Sequence, residues 1–462
     1  MASSASASGR DSTETSSIRQ VIAASFIGTT IEWYDFFLYG TAAALVFNKL
    51  FFPKAEPSTG TLLALATYGV GFVARPVGGI IFGHFGDRIG RKAMLVLSLM
   101  IMGLATFLIG AMPTYKSIGL AAAVILVLLR IAQGIGVGGE WGGAVLMAVE
   151  HSPEGRRGFY GSWPQMGVPA GLFLSTLVFA LVRAVTSEDQ FLSWGWRIPF
   201  LASVVLIAVG LFVRLRLLES PAFQRVKETG TQAPMPILDV LRKYPKEVLL
   251  AMGMRIAENG TFYILTVFSL VYGAEHLGVS RNTVLWGVTI AAAIGLLTIP
   301  VYGALSDRVG RRPLYLSGAV FSLLFAFPFF WLMNSKVTLL IWLAVILGVN
   351  VGHHLMYGPQ AAYFSELFGT RVRYSGASLG YQLASVLAGG LAPLLAAALL
   401  KTAGYGAVAT YMALMALITI VATWLASETY QHDIHADYEP DRDLAAEARR
   451  DQPPGRTGPV PG

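Results

Sequence analysis

The chain breaks into apolar runs of about 20 residues or more, the length that crosses a bilayer as a helix, and this constrains its fold more than any other feature. Short charged turns separate the runs, and one of them occurs twice. Gly83-His84-Phe85-Gly86-Asp87-Arg88-Ile89-Gly90-Arg91-Lys92 returns as Gly303-Ala304-Leu305-Ser306-Asp307-Arg308-Val309-Gly310-Arg311-Arg312. The two aspartates are 307 − 87 = 220 residues apart, close to half of the 462-residue chain. A charged turn repeated once between apolar runs indicates two related halves.

Only 13% of the residues are charged, against about 25% in soluble domains, so a water-exposed surface for a chain of this size is excluded. The alternating ten-residue segments of a membrane barrel are missing. The fold class is an all-α polytopic membrane protein. Twelve spans are predicted, near 19–47, 60–84, 92–112, 118–149, 157–183, 194–216, 247–272, 281–304, 312–333, 337–364, 373–400 and 404–427. They form two six-helix bundles, 18–216 and 247–427, joined by a polar linker, 217–246, that carries Pro221, Pro234, Pro236 and Pro245.

Residues 1–17 are rich in Ser, Ala and Thr and read as a disordered N-terminus. They do not read as a signal peptide, because they contain Arg10, Asp11 and Glu14 and precede a full-length span. The tail, 428–462, is charged, ends in Pro and Gly, shows no heptads and reads as disordered.

The net charge of +7 lies in short loops, which speaks for membrane orientation and not for a nucleic-acid partner. Arg88, Arg91, Lys92, Arg156, Arg157, Arg308, Arg311, Arg312, Arg371 and Arg373 fall in loops of one side, together with the linker cations. The other side holds fewer, among them Lys49, Lys54, Lys116, Arg281, Lys336 and Lys401. By the positive-inside rule the first side, and with it both termini, is cytoplasmic. The chain has no cysteine, so disulfides and thiolate metal sites are excluded.

Ionisable residues far from the loops carry the functional signal. A charge at the bilayer centre costs at least ~2.5–3.5 kcal/mol, so it faces a polar cavity or a partner. Glu32 and Asp35 share one face of the first span, and two close carboxylates in a low-dielectric medium suit reversible protonation. The alternative is a structural pair neutralised by an arginine. Arg75 and Arg130 lie at similar depth and either bind substrate or pair with Glu32 or Asp35.

Glu140 follows along the fourth span, beside Trp141. The seventh span repeats the theme as Arg255-Ile256-Ala257-Glu258-Asn259. The proton-coupling candidates are Glu32, Asp35, Arg130 and Glu140. The substrate-facing candidates are Tyr34, Tyr39, Arg75, Gln133, Trp141, Gln165, Arg255, Glu258, Asn259, Tyr357, Gln360, Tyr381 and Gln382. Adjacent His353 and His354 point to different sides of a helix, so no metal site is expected, and the plain reading of each is a packing residue. The glycines of Gly134 to Gly143 read as close helix packing or as a helix that slides. At the loop edges, Asp87, Arg88, Arg91, Asp307, Arg308 and Arg311 are gating candidates, with the two aspartates placed to cap neighbouring helix N-termini.

The repeated turn resembles the hallmark cytoplasmic loop of the major facilitator superfamily, in two copies. Arg130-Ile131-Ala132-Gln133-Gly134 resembles the fourth-span motif linked there to proton coupling. Glu32-Trp33-Tyr34-Asp35-Phe36, Phe82 to Asp87, Gly138 to Gly143 and Ser193 to Phe200 resemble the metabolite:proton symporter branch, which includes carriers for proline and betaine, shikimate, α-ketoglutarate and citrate.

The resemblance implies a bacterial inner-membrane carrier working by alternating access. It would take up a small organic acid or zwitterion with H+, as a monomer and without a cofactor. The coiled-coil tail of osmosensing betaine carriers is missing, which lowers the osmolyte reading. The antiporter signature is not cleanly present around Gly167 to Gly171, which favours symport over the alternative, an efflux antiporter. An enzyme or sensor finds no nucleotide loop, nucleophile motif or metal-ligand spacing.

Overall fold

The computed structural model describes residues 17–55, 57–230, 233–432 and 434. Among these, every regular element is a helix. Span α1 (Ile18–Ala42) starts at Ser17, whose side chain and that of Gln20 complete a capping box. The N-terminal half continues through α2 (Pro57–Arg88), α3 (Arg91–Ala111), α4 (Leu120–Glu150), α5 (Arg157–Ala184) and α6 (Glu188–Leu215).

The second half comprises α7 (Pro245–Tyr263, continued by π-helical turns to His276), α8 (Arg281–Val309), α9 (Arg311–Asn334) and α10 (Thr338–Glu366). Spans α11 (373–403) and α12 (405–425) form one helical stretch broken at Gly404, which has φ +76°. Nine stretches of the described residues are long and apolar enough to cross a membrane, counting α11 and α12 as one. The two further spans are α2, which is glycine-rich and holds Arg75, and α7, which holds Lys246, Glu247, Arg255 and Glu258.

Both charged turns are made the same way. Gly90 and Gly310 have φ of +134° and +100°, where a side chain is strained, and the next helix starts at once with Arg91 or Arg311. The first N–H groups of those helices need acceptors. Glu219 supplies them for α3, accepting from Arg91 N at 3.1 Å and Lys92 N at 3.2 Å. Glu428 does the same for α9, accepting from Arg311 N at 2.9 Å and Arg312 N at 3.0 Å.

The linker holds two short helices, opened by Pro221 and Pro236, and Pro245 opens α7, the position where a missing N–H costs nothing. One expectation needs correction. The expected disordered tail is ordered at its start. Glu428 caps α9, Thr429 Oγ1 donates to Glu366 at 2.7 Å, and Ile434 packs into the core of the second half. Residues 1–16 and 435–462 lie outside the described residues.

The fourth-span glycines pack helices tightly. A Cβ at Gly138 would stand 2.1 Å from the Arg75 carbonyl oxygen on α2, and one at Gly142 would stand 2.2 Å from Ser378 Oγ on α11. Large side chains such as Leu297, Leu324, Leu339 and Trp331 lie exposed on the outer surface, which suits hydrocarbon and would be costly in water.

Candidate functional site

At the end of the molecule that carries the two charged turns, the halves clasp each other reciprocally. Asp87 on α2 accepts from Tyr374 N at 3.3 Å and Ser375 N at 2.9 Å, in the first turn of α11. Asp307 on α8 accepts from Gly158 N at 2.7 Å and Phe159 N at 2.9 Å, in the first turn of α5. Each aspartate thus meets the positive end of a helix of the other half.

A second pair of contacts crosses the same gap. Glu150 binds Arg373 at 3.1 Å, and Glu366 binds Arg157 at 3.1 Å. Arg91 ties Asp87 to Glu150 at 3.3 and 3.6 Å, and Arg311 ties Asp307 to Glu366 at 2.8 and 3.1 Å. All eight of these side chains are buried or nearly so. The other two gating candidates do not join in. Arg88 and Arg308 are exposed and form no ion pair among the described residues, because the helical phase turns them away from the gap.

Deeper in the first half, Arg75 and Arg130 both stand against the Phe36 ring. The Arg75 guanidinium carbon stands 4.5 Å from the centroids of both Phe36 and Phe72, with Trp33 at 5.7 Å. That of Arg130 stands 4.2 Å from Tyr39, 4.9 Å from Tyr68 and 5.2 Å from Phe36. Neither arginine forms an ion pair among the described residues, and Arg75 Nη2 has no hydrogen-bond partner. The pairing with Glu32 or Asp35 that the sequence left open is therefore not made. Desolvated cation–π contacts of this kind contribute about 2 kcal/mol each, and they leave Arg75 Nη2 and Arg130 Nε without a hydrogen-bond partner among the described residues, while Arg130 Nη2 donates to the Tyr68 carbonyl at 3.5 Å.

A polar chain leads away from Arg130. Its Nη1 donates to Gln133 Oε1 at 3.1 Å, and Gln133 Nε2 donates to Thr106 Oγ1 at 2.7 Å. The Thr106 hydroxyl lies beside the Asp35 carboxyl, neither oxygen of which has a hydrogen-bond partner among the described residues. Glu32 is also buried, with Oε2 unpartnered and Arg75, Arg214 and Glu140 as charged neighbours. Glu140 is committed elsewhere, as Arg214 on α6 pairs with it and Ser98 Oγ donates to it at 2.9 Å.

The second half is arranged differently. Arg255 Nη1 donates to Glu258 Oε2 at 2.6 Å and to Gln360 Oε1 at 3.2 Å. Gln360 Nε2 donates to Glu258 Oε2 at 3.1 Å and to Tyr315 Oη at 3.0 Å, and His353 Nε2 meets Glu258 Oε1 at 2.9 Å. The Tyr381 ring joins the halves, stacked at 3.6 Å on Trp141 and facing Arg255 at 3.2 Å. Gln165, bonded to Trp141 at 2.8 Å, reaches the Tyr357 carbonyl at 3.2 Å, and Gln382 reaches the Gly138 carbonyl at 3.1 Å. Phe72 meets Tyr263 at 5.7 Å, and Asn259 stands close to Gly389 beside them.

Of the substrate-facing candidates, Tyr34 stands apart, its hydroxyl given to the Pro199 carbonyl at 2.7 Å inside the first half. Arg214, Thr106, Tyr68, Glu150, Glu366 and His353 were not among them. Two of these had a readable signal: Glu150 and Glu366 are acids at the ends of apolar runs, 216 residues apart, near the repeat offset.

The Major Facilitator Superfamily model matches residues 25–389 and 260–453. The chain is 44% identical over 423 residues to the inner membrane metabolite transport protein YhjE of Escherichia coli, covering 90% of this chain and 96% of that one. It is 43% identical to the Escherichia coli shikimate transporter, covering 89% and 95%. With the Escherichia coli proline/betaine transporter the identity is 38%, covering 89% and 84%. Among solved structures, the proton:xylose symporter XylE bound to a bromo-deoxyglucose aligns with a TM-score of 0.73 at 17% identity, covering 90% of this chain and 98% of that one. The inward open conformation of XylE from E. coli aligns with 0.64 at 17% identity, covering 92% and 99%. The chain therefore belongs to the Major Facilitator Superfamily, a family of membrane transporters and not of enzymes.

Proposed function

We propose that the chain takes up a small organic anion together with protons across a bacterial inner membrane, by alternating access. One observation carries the reading. Two buried arginines are held over aromatic rings with no carboxylate of their own, beside two carboxyls that also lack partners. With Glu32 and Asp35 protonated, the cluster around Arg75 and Arg130 is net positive and matches a carboxylate, for which the guanidinium is the preferred fork. A zwitterion would bring a second cation to rings that already face guanidiniums. The name of the shikimate transporter relative agrees with an organic acid.

Proton and substrate couple through a shared charge balance. When Asp35 or Glu32 loses its proton, the carboxylate competes with the substrate for Arg75 or Arg130, and the anion leaves. The charged-turn end is the cytoplasmic side, both termini included, and its reciprocal clasp closes the inward path. The carrier acts as a monomer, with the lipid bilayer and H+ as its other partners and no cofactor.

The test is uptake by the purified protein in proteoliposomes with an acidic exterior, using labelled shikimate, α-ketoglutarate, proline and glycine betaine. An acid should accumulate only with the gradient, and Arg75→Gln should abolish it. Uptake restricted to betaine or proline, or accumulation only against an outward proton flux, overturns the reading. Orientation is read separately from single cysteines in this cysteine-free chain. Arg88→Cys and Arg308→Cys should label from the cytoplasm alone.

A further inference from the structure

Among the buried polar atoms of the second half that lack a hydrogen-bond partner among the described residues, one belongs to the network around Glu258 and sits on His353. His353 ends the π-helical turn Gly348–His353 of α10, a widened turn of the kind common at functional sites. The residue is 4% exposed, and its Nδ1 has no hydrogen-bond partner among the described residues. The ring is stacked on Tyr357 at 4.8 Å and lies against Phe262 at 4.7 Å. It lines a cavity between the halves whose other walls include Val168, Pro169 and Leu172 on α5 and Ile299 on α8. Tyr357 belongs both to this wall and to the cluster of Trp33, Phe36 and Phe72 that holds Arg75.

Glu258 fixes the tautomer. Its Oε2 accepts from Gln360 and pairs with the permanently charged Arg255 guanidinium, which holds the carboxylate ionised, and an ionised Oε1 takes a hydrogen from His353 Nε2. In the neutral imidazole the other nitrogen, Nδ1, is left as a bare acceptor. A bare acceptor in an apolar wall is costly unless a ligand brings a donor to it.

The geometry points to His353 Nδ1 as a specificity-determining contact that accepts a hydrogen bond from a substrate hydroxyl, so that the cargo is a hydroxylated carboxylate. This rests on the carboxylate reading above and narrows it. The arginines of the first half hold the carboxylate, and His353 of the second half selects what the remainder of the molecule must offer. An acid without a donor leaves Nδ1 unsatisfied, and sites built to bind a hydroxyl discriminate strongly against analogues that lack one.

The test uses two probes that share a carboxylate and a cyclohexene ring, shikimate with three hydroxyls and 1-cyclohexene-1-carboxylate with none. Affinities are measured by calorimetry on the full-length protein in nanodiscs. The wild type should bind shikimate at least about tenfold more tightly. His353→Gln keeps a donor for Glu258 but no acceptor at the Nδ1 position, and should bring the ratio close to one. His353→Asn places an amide oxygen where Nδ1 was and should restore much of it. Equal binding of both acids by the wild type, or an unchanged ratio in His353→Gln, overturns the inference and leaves carboxylate transport standing. Binding of neither acid overturns both.

Discussion

The two halves are alike where they meet at the charged turns and unlike in the middle of the membrane. At the turns, every group has its counterpart, with Asp87 and Asp307, Arg91 and Arg311, Glu150 and Glu366, Arg157 and Arg373, and Glu219 and Glu428 in equivalent roles. In the middle, the first half leaves two cations and two acids without ion-pair partners, whereas the second ties Arg255, Glu258, His353, Gln360 and Tyr315 into one network. Motion that treats both halves equally needs matched clasps. Under the proposed function, moving a proton and an anion draws on buried charges without an ion pair, and in the middle of the membrane the first half supplies these, Arg75, Arg130, Glu32 and Asp35.

The largest expected effect breaks this contrast at its centre. Arg75→Gln or Arg130→Gln should reduce proton-driven uptake at least about 100-fold while the protein stays folded and membrane-inserted, since a charge-assisted fork is lost from a dry site. Uptake within about twofold of wild type in both variants would assign the substrate to the second half instead.

Next, Asp35→Asn or Glu32→Gln should abolish uphill accumulation, and at least one should keep substrate exchange within about threefold, because exchange moves no net proton. Full accumulation by both would remove these acids from coupling.

The third effect sharpens the symmetry. Asp87→Asn and Asp307→Asn each remove the charge from two hydrogen bonds across the gap, and charged bonds are worth about 1.5–3 kcal/mol apiece. Each variant should raise the reactivity of a cysteine at Ser306, which is fully buried in the clasped state, by about tenfold or more. An effect of only one of the two would show the clasps to be unequal.

The smallest effect is a control. Arg88→Ala should change uptake by less than about twofold, while Arg91→Ala, which removes the cation shared by Asp87 and Glu150, should cost at least about tenfold.

Much of this architecture was legible because the bilayer sets it. Most span ends fell within a few residues of the helices, since about 20 apolar residues and a charged turn leave little freedom, although α6 starts at Glu188 and not at 194 and α8 runs to Val309 and not to 304. The acid pair on α1 and the arginines on α2 and α4 were legible for the same reason, as charges stand out against apolar neighbours. Their partners were not. Arg214 is 74 residues from Glu140, and nothing local tells that it, and not Arg130, takes that acid. Arg88 and Arg91 look equivalent as sequence, and only the turn at Gly90 decides which one enters the gap. Glu428 sits in a run whose composition signals solvent, yet α9 begins without acceptors for its first N–H groups and takes this carboxylate.

The contact at Ile434 gives the solution side of the molecule a handle. The Ile434 carbonyl accepts from Arg373 Nη2 at 2.7 Å, and the same guanidinium holds Glu150 of the other half through Nη1. A reporter, tag or adaptor inserted directly after Ile434 would sit one peptide group from a contact that joins the two halves, whereas one fused after Gly462 would be 462 − 434 = 28 residues away. Under the proposed function, tension or bulk at Ile434 is expected to change how long the clasp stays shut.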